Sequence, residues 1–148
     1  MDKKPIDILI ADDDEDDCRN AKDAFDKNHL ANRLFFVRDG AELLDFLKGR
    51  GKHVGAPRPG LILLDLNMPK VDGREALREI KADPELRSIP VVILTTSKEE
   101  EDILRSYDLG ASSFITKPVA FDALVKLVSN LGGYWFQLVA LPAPEAER

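Results

Sequence analysis

The 148-residue sequence has one cysteine, Cys18, so no disulfide can form within the chain, and a lone thiol of this kind is by default an inert core group. It has no run of 18 apolar residues, which excludes a membrane-spanning helix. The opening stretch "MDKKPIDILIADDD" lacks the longer apolar region and cleavage site of a secretory signal, so a cytoplasmic protein is expected. Positive charge is in deficit, with 21 Lys and Arg against 27 Asp and Glu and a net charge of −6. That balance argues against nucleic acid as a partner, which would call for a basic patch. No internal repeat or low-complexity tract is present. What remains, 44% apolar and 32% charged residues, is the composition of one soluble domain long enough to bury a core.

Five short apolar runs rich in branched residues read as strands: "DILIA" (7–11), "LFFVR" (34–38), "LILLD" (61–65), "VVILT" (91–95) and "SSFIT" (112–116). Helical patterns follow them at about 15–28, 41–49, 73–82, 98–109 and 119–131, the second opened by "RDG" and the fourth by the acids of "SKEEED". Near-continuous apolar strands suit a parallel sheet covered on both faces, and right-handed crossovers make this a doubly wound α/β fold of five βα units. The segment "GRGKHVGAPRPG" (49–60) reads as a surface loop; its glycines have the wrong spacing for a dinucleotide fingerprint and follow a helix.

Two of the oily strands end on acid. Asp12 and Asp13 close the first, Asp65 closes the third, the fourth ends at Thr95, and Lys117 follows the fifth. Open parallel sheets bind ligands outside the carboxyl ends of their strands, where strand order reverses. In a flavodoxin-like order 2-1-3-4-5 the first and third strands are neighbours, so the three carboxylates converge. Three acids gathered without a cation would repel one another, whereas a divalent ion such as Mg²⁺ satisfies them and leaves positions for water and a phosphoryl oxygen. Thr95 and Lys117 can hold that oxygen by hydrogen bond and by charge, which are the main levers of phosphoryl transfer.

The fragments "DD" after the first strand, "DLNMPKVDG" around the third, "LTT" after the fourth and "FITKP" at the fifth resemble a response-regulator receiver domain over about residues 5–131. The resemblance implies a flavodoxin-like (βα)5 fold and a single receiver domain over 1–148, with a core at about 5–131 and a C-terminal apolar extension at 132–148. It implies that Asp65 is the phosphoacceptor for a histidine kinase's phosphohistidine. Asp13, Asp65 and the backbone carbonyl of Asn67 would then ligate Mg²⁺ directly, Asp12 would act mainly through a metal-bound water, and Thr95 and Lys117 would hold the phosphoryl group. Phe114 occupies the position of the family's rotameric switch residue, which works together with Thr95. The long 49–60 loop, "LTTSKEEEDI", "SFITKPV" and the tail "GGYWFQLVALP" make the nearest resemblance the single-domain regulators paired with phytochrome-type histidine kinases.

Plainer readings of the same residues exist. Asp14, Glu15, Asp16 and Asp17 read as a solvated helix start with Asp14 as its N-cap. A calcium loop fails, because an EF-hand starting at Asp12 needs glycine where Asp17 stands. Taken singly, Thr95 is a strand threonine, Lys117 a surface lysine and Phe114 a core aromatic. A haloacid-dehalogenase phosphatase would share the Asp nucleophile, Mg²⁺, Thr and Lys, but Asn67 stands where its acid/base carboxylate belongs. A pseudo-receiver that binds partners without phosphorylation is the other alternative. Only seventeen residues follow Leu131, so output is expected through protein contact. The apolar "YWFQLVALP" (134–142) after Gly132-Gly133 points to a homodimer formed by this tail with the fourth helix, fifth strand and fifth helix.

Overall fold

Branched and aromatic runs form one parallel sheet in the computed structural model, which describes residues 7–27, 33–66, 73–95 and 113–116. Its strands are β1 (Ile8–Ala11), β2 (Leu34–Val37), β3 (Leu61–Asp65), β4 (Val91–Thr95) and β5 (Ser113–Thr116), in the order β2-β1-β3-β4-β5. Ile8 lies opposite both Leu34 and Leu61, and Ala11 opposite both Val37 and Leu64, so β1 sits squarely between β2 and β3. On the far side Asp65 pairs with Leu94, and Thr95 with Thr116.

The burial explains the composition of the strands. Every residue of β1 and β3 is buried, as are Val91 to Leu94 of β4, so these strands are covered on both faces, and each has a neighbour on either side. No alternation of polar and apolar residues is then possible. The edge strand β2 is only half-buried until Val37.

Helices α1 (Glu15–Lys27), α2 (Gly40–Lys48) and α3 (Gly73–Ala82) supply the cover. Asp14 caps α1, its Oδ1 accepting from the Asp16 and Asp17 amides at 2.8 and 3.2 Å, as expected. Asp39 caps α2 by accepting from the Glu42 amide at 2.7 Å, and Gly49 ends it in the left-handed region at φ 66°. Leu43, Leu44 and Phe46 of α2 and Ala76, Leu77 and Ile80 of α3 enter the same core as Leu9, Ile62, Leu64 and Ile93.

The strand boundaries expected from sequence hold to within a residue. β2 stops before Arg38 because the Arg38 amide turns to donate to Glu42 Oε1 at 2.9 Å. The 49–60 segment is more ordered than a plain surface loop. It contains a 3-10 turn, Gly51–His53, whose His53 Nε2 lies 3.0 Å from Glu42 Oε2 and whose ring packs 5.1 Å from that of Phe46. Arg58 ties the other end of the loop to Ser88 Oγ at 3.0 Å and to the Glu85 carbonyl. Asn67, Lys117, the helical patterns at 98–109 and 119–131 and the tail lie outside the described residues.

Candidate metal centre

The register that puts Ala11 opposite Leu64 makes Asp12 and Asp65 the next residues along two neighbouring strands that run the same way. Both carboxylates are therefore delivered to the same end of the sheet. Among the described residues these two are the only buried charged groups, Asp12 at 1% exposure and Asp65 at 4%. Asp13 follows on the exposed side, and one carboxylate oxygen from each of the three lies within 4.8 Å of the others.

Backbone contacts fix the Asp12 end. The Asp12 amide donates to the Val37 carbonyl at 3.0 Å, which continues the β1–β2 ladder, and its Oδ1 accepts from the Asp14 amide at 3.0 Å. Its carbonyl faces Cys18 Sγ at 3.7 Å. Burial, together with the nearby charge of Asp12, pushes the Cys18 thiol up to about 11, so it stays protonated and takes no part as a thiolate ligand. That is the inert core cysteine expected from sequence. At the rim, Arg38 Nη2 pairs with Glu15 Oε1 at 3.5 Å, a contact of two exposed side chains worth little in stability.

Burying carboxylates is costly unless they are paired or bind metal, and here two buried ones share a site with a third. The donor set is all hard oxygen, which suits Mg²⁺, Mn²⁺ or Ca²⁺ and not the softer ions that prefer His and Cys. Oxygens around one Mg²⁺ at about 2.0–2.1 Å can be at most about 4.2 Å apart. A set already within 4.8 Å closes on such an ion by a small contraction, or with water replacing one carboxylate. The residues present therefore fit a small divalent cation.

The remaining expected residues are partly placed. Thr95 is the last residue of β4, one beyond the Leu94 that pairs with Asp65, so its backbone stands at the same end of the sheet. Phe114 pairs with Ile93 in the middle of β5, and the strand ends at Thr116, immediately before Lys117 in sequence. Sequence reasoning passed over Gly73, which opens α3 against the end of β3 with its amide donating to the Leu66 carbonyl at 3.2 Å. The signal was the glycine that closes "NMPKVDG", eight residues after Asp65.

The chain is similar to known proteins in sequence and in fold. The family described as "Response regulator receiver domain" matches residues 8–129. Response regulator Rcp1 of Synechocystis sp. is 42% identical over 136 residues, covering 92% of this chain and 92% of that protein. The Mn(2+)-bound form of Rcp1 superposes with a TM-score of 0.76, covering 94% of this chain and 100% of that one. The bacteriophytochrome response regulator RtBRR superposes at 0.81 with 40% identity, covering 87% and 79% of the two chains. The phosphorylated cyanobacterial phytochrome response regulator RcpA does so at 0.77 with 41% identity, covering 95% and 100%.

Proposed function

The chain belongs to the response regulator receiver domain family, and on that premise we propose that Asp65 is its phosphoacceptor, taking a phosphoryl group from the phosphohistidine of a histidine kinase. The observation that carries this is the buried Asp65 carboxylate at the end of β3, within 4.8 Å of the carboxylates of Asp12 and Asp13. An Asp65 oxygen attacks phosphorus, the bond from phosphorus to the histidine nitrogen breaks, and an acyl phosphate forms. Asp13, Asp65 and the backbone carbonyl of Asn67 would hold a divalent cation directly, and Asp12 would act mainly through a metal-bound water. Mg²⁺ is the ion we assign; when bound it would supply positive charge to offset the phosphoryl oxygens. Thr95 and Lys117 bind those oxygens, and Phe114 responds to the engagement of Thr95.

The protein is a signalling component, not an enzyme, though a small phosphodonor should label it without a kinase. The kinship with Rcp1, RtBRR and RcpA supports a phytochrome-type histidine kinase as its partner. Output then passes through protein contact, in a cytoplasmic homodimer built by residues 98–109, 113–116, 119–131 and the tail. Among the described residues no helix is long and apolar enough to cross a membrane.

Acetyl phosphate with Mg²⁺ tests the chemistry. Stoichiometric acid-labile label, abolished in Asp65→Asn, is the expected result. Sustained turnover would favour a phosphatase instead, and an unlabelled protein would favour a pseudo-receiver. Light scattering at tens of micromolar on the full chain, and on a truncation after Gly132, tests the dimer, which is refuted if both are monomers.

A further inference from the structure

We propose that the backbone contact between Gly73 and the Asp65–Leu66 end of β3 is a positioning device for the Asp65 carboxylate, an inference that rests on the receiver reading above. A β-carbon at position 73 would stand 2.6 Å from Leu66 Cα, 2.9 Å from the Asp65 carbonyl oxygen and 3.0 Å from Leu66 Cδ2. Carbon atoms attract best at about 3.5–4.0 Å, so the first of these contacts is about 1 Å too short. Two of the three atoms are main chain and cannot rotate away. Gly49, Gly51 and Gly55 make a useful contrast. They have φ of 66°, 58° and 84°, and a β-carbon on any of them meets nothing nearer than 3.9 Å. Their requirement is a dihedral angle, whereas that of Gly73 is proximity.

Neither partner in the contact is free to retreat. β3 is hydrogen-bonded to β1 on one side and to β4 on the other. α3 is anchored by Ala76, Leu77 and Ile80, all fully buried. Extra volume between two anchored elements displaces what lies at the point of contact, which is the peptide joining Asp65 to Leu66. The same peptide fixes the Asp65 side chain relative to Asp12 and Asp13. The glycine thus lets α3 begin against the strand and holds the carboxylate in register with its neighbours. Nucleophiles displaced by about 1 Å lose on the order of a hundredfold in rate, so partial relaxation here should cost between about tenfold and a hundredfold.

The test uses the full-length Gly73→Ala variant, with Ile89→Val as a control that trims the same core ahead of β4, away from Asp65. Three quantities are measured: Mn²⁺ affinity by electron paramagnetic resonance of the free ion, the single-turnover rate of labelling by acetyl phosphate at saturating metal, and the urea unfolding midpoint. Gly73→Ala should weaken Mn²⁺ binding and slow labelling at least tenfold, while Ile89→Val lowers the midpoint and leaves both at wild-type values. A folded Gly73→Ala protein that binds Mn²⁺ and labels like wild type overturns the proposal. Should Gly73→Ala not fold, Leu77→Val loosens the anchor that holds the start of α3 against the strand: weakened Mn²⁺ binding supports the proposal and wild-type binding overturns it. If wild type itself takes neither metal nor label, it is the receiver reading that fails.

Discussion

Replacing Asp65 with asparagine should make the metal-free protein more stable, although it removes the group proposed to do the chemistry. Asp12 and Asp65 are both buried, and their nearest paired oxygens lie within 4.8 Å. Two unit charges at that separation repel by about 3 kcal/mol at an effective dielectric constant near 20. Asp13 is exposed, so water screens its share to about 1 kcal/mol or less. Asparagine keeps the shape and hydrogen-bonding capacity of Asp65 while deleting the charge. Asp65 has further interactions in the fold that the substitution weakens, which reduces the net gain to about 1–3 kcal/mol. For a chain of this size that corresponds to a rise of about 3–10 °C in Tm. Circular dichroism melts in EDTA measure it. Addition of Mg²⁺ should then reverse the ranking, because a ligand at a hundredfold excess over its Kd stabilises the folded state by about 2.7 kcal/mol, and only wild type retains the full site. Equal Tm values for the two proteins in EDTA, or a wild type that Mg²⁺ does not stabilise, would refute the idea that these acids are held in mutual repulsion.

Asp13→Ala should weaken Mg²⁺ binding more than Asp12→Ala, since Asp13 is assigned as the direct ligand; equal losses by calorimetric titration would remove that distinction. Cys18 should resist iodoacetamide in the native state at pH 8 and react once the protein is unfolded in urea, because burial keeps its thiol protonated near 11; rapid native alkylation would contradict this. Burial raises the Glu42 carboxyl, but the Arg38 amide at 2.9 Å, His53 at 3.0 Å and Lys52 at 3.1 Å outweigh it, and the group sits below its ordinary 4.5. A carboxyl lowered on folding contributes stability that is complete above its unfolded value and is lost as pH falls through its folded value. Glu42→Gln should therefore flatten the acid limb of the stability curve below about pH 4.5, read as urea midpoints, and an unchanged limb would show that Glu42 carries none of it.

The parts of the fold that could be read in advance are those where one physical requirement dominates the sequence. "LILLD" and "VVILT" are apolar at every position but the last, and only burial on both faces makes such strands. The α3 boundaries were legible because Ala76, Leu77 and Ile80 repeat at helical spacing between charged residues. The 49–60 segment was harder to read, since its order comes from contacts distant in sequence. His53 reaches back to Glu42 and Phe46, and Arg58 reaches forward to Ser88. A Gly- and Pro-rich composition carries no trace of those partners. Gly73 was missed for a related reason: it has no side chain to advertise a role, and its importance lies in how near two backbones come.

The candidate site was legible for a different reason, which is topology. Adjacent strands lie about 4.7–4.9 Å apart, and the three clustered acids fall within 4.8 Å of one another. The acids of β1 and β3 can meet because β3 lies directly beside β1, with β2 displaced to the outer edge. In a sheet ordered 1-2-3, β2 would intervene and the acids of β1 and β3 would stand about 10 Å apart, too far for one ion to be ligated by both. The same order places β4 on the other flank of β3, so that the Thr95 backbone stands at the end of the sheet, one residue beyond the Leu94 that pairs with Asp65. Position along each strand decides which residues reach the rim, and strand order decides which of them meet. An oily strand ending on a charge is thus readable from sequence as half of a site; its partner is named only once the crossover between β2 and β3 is known to return past β1.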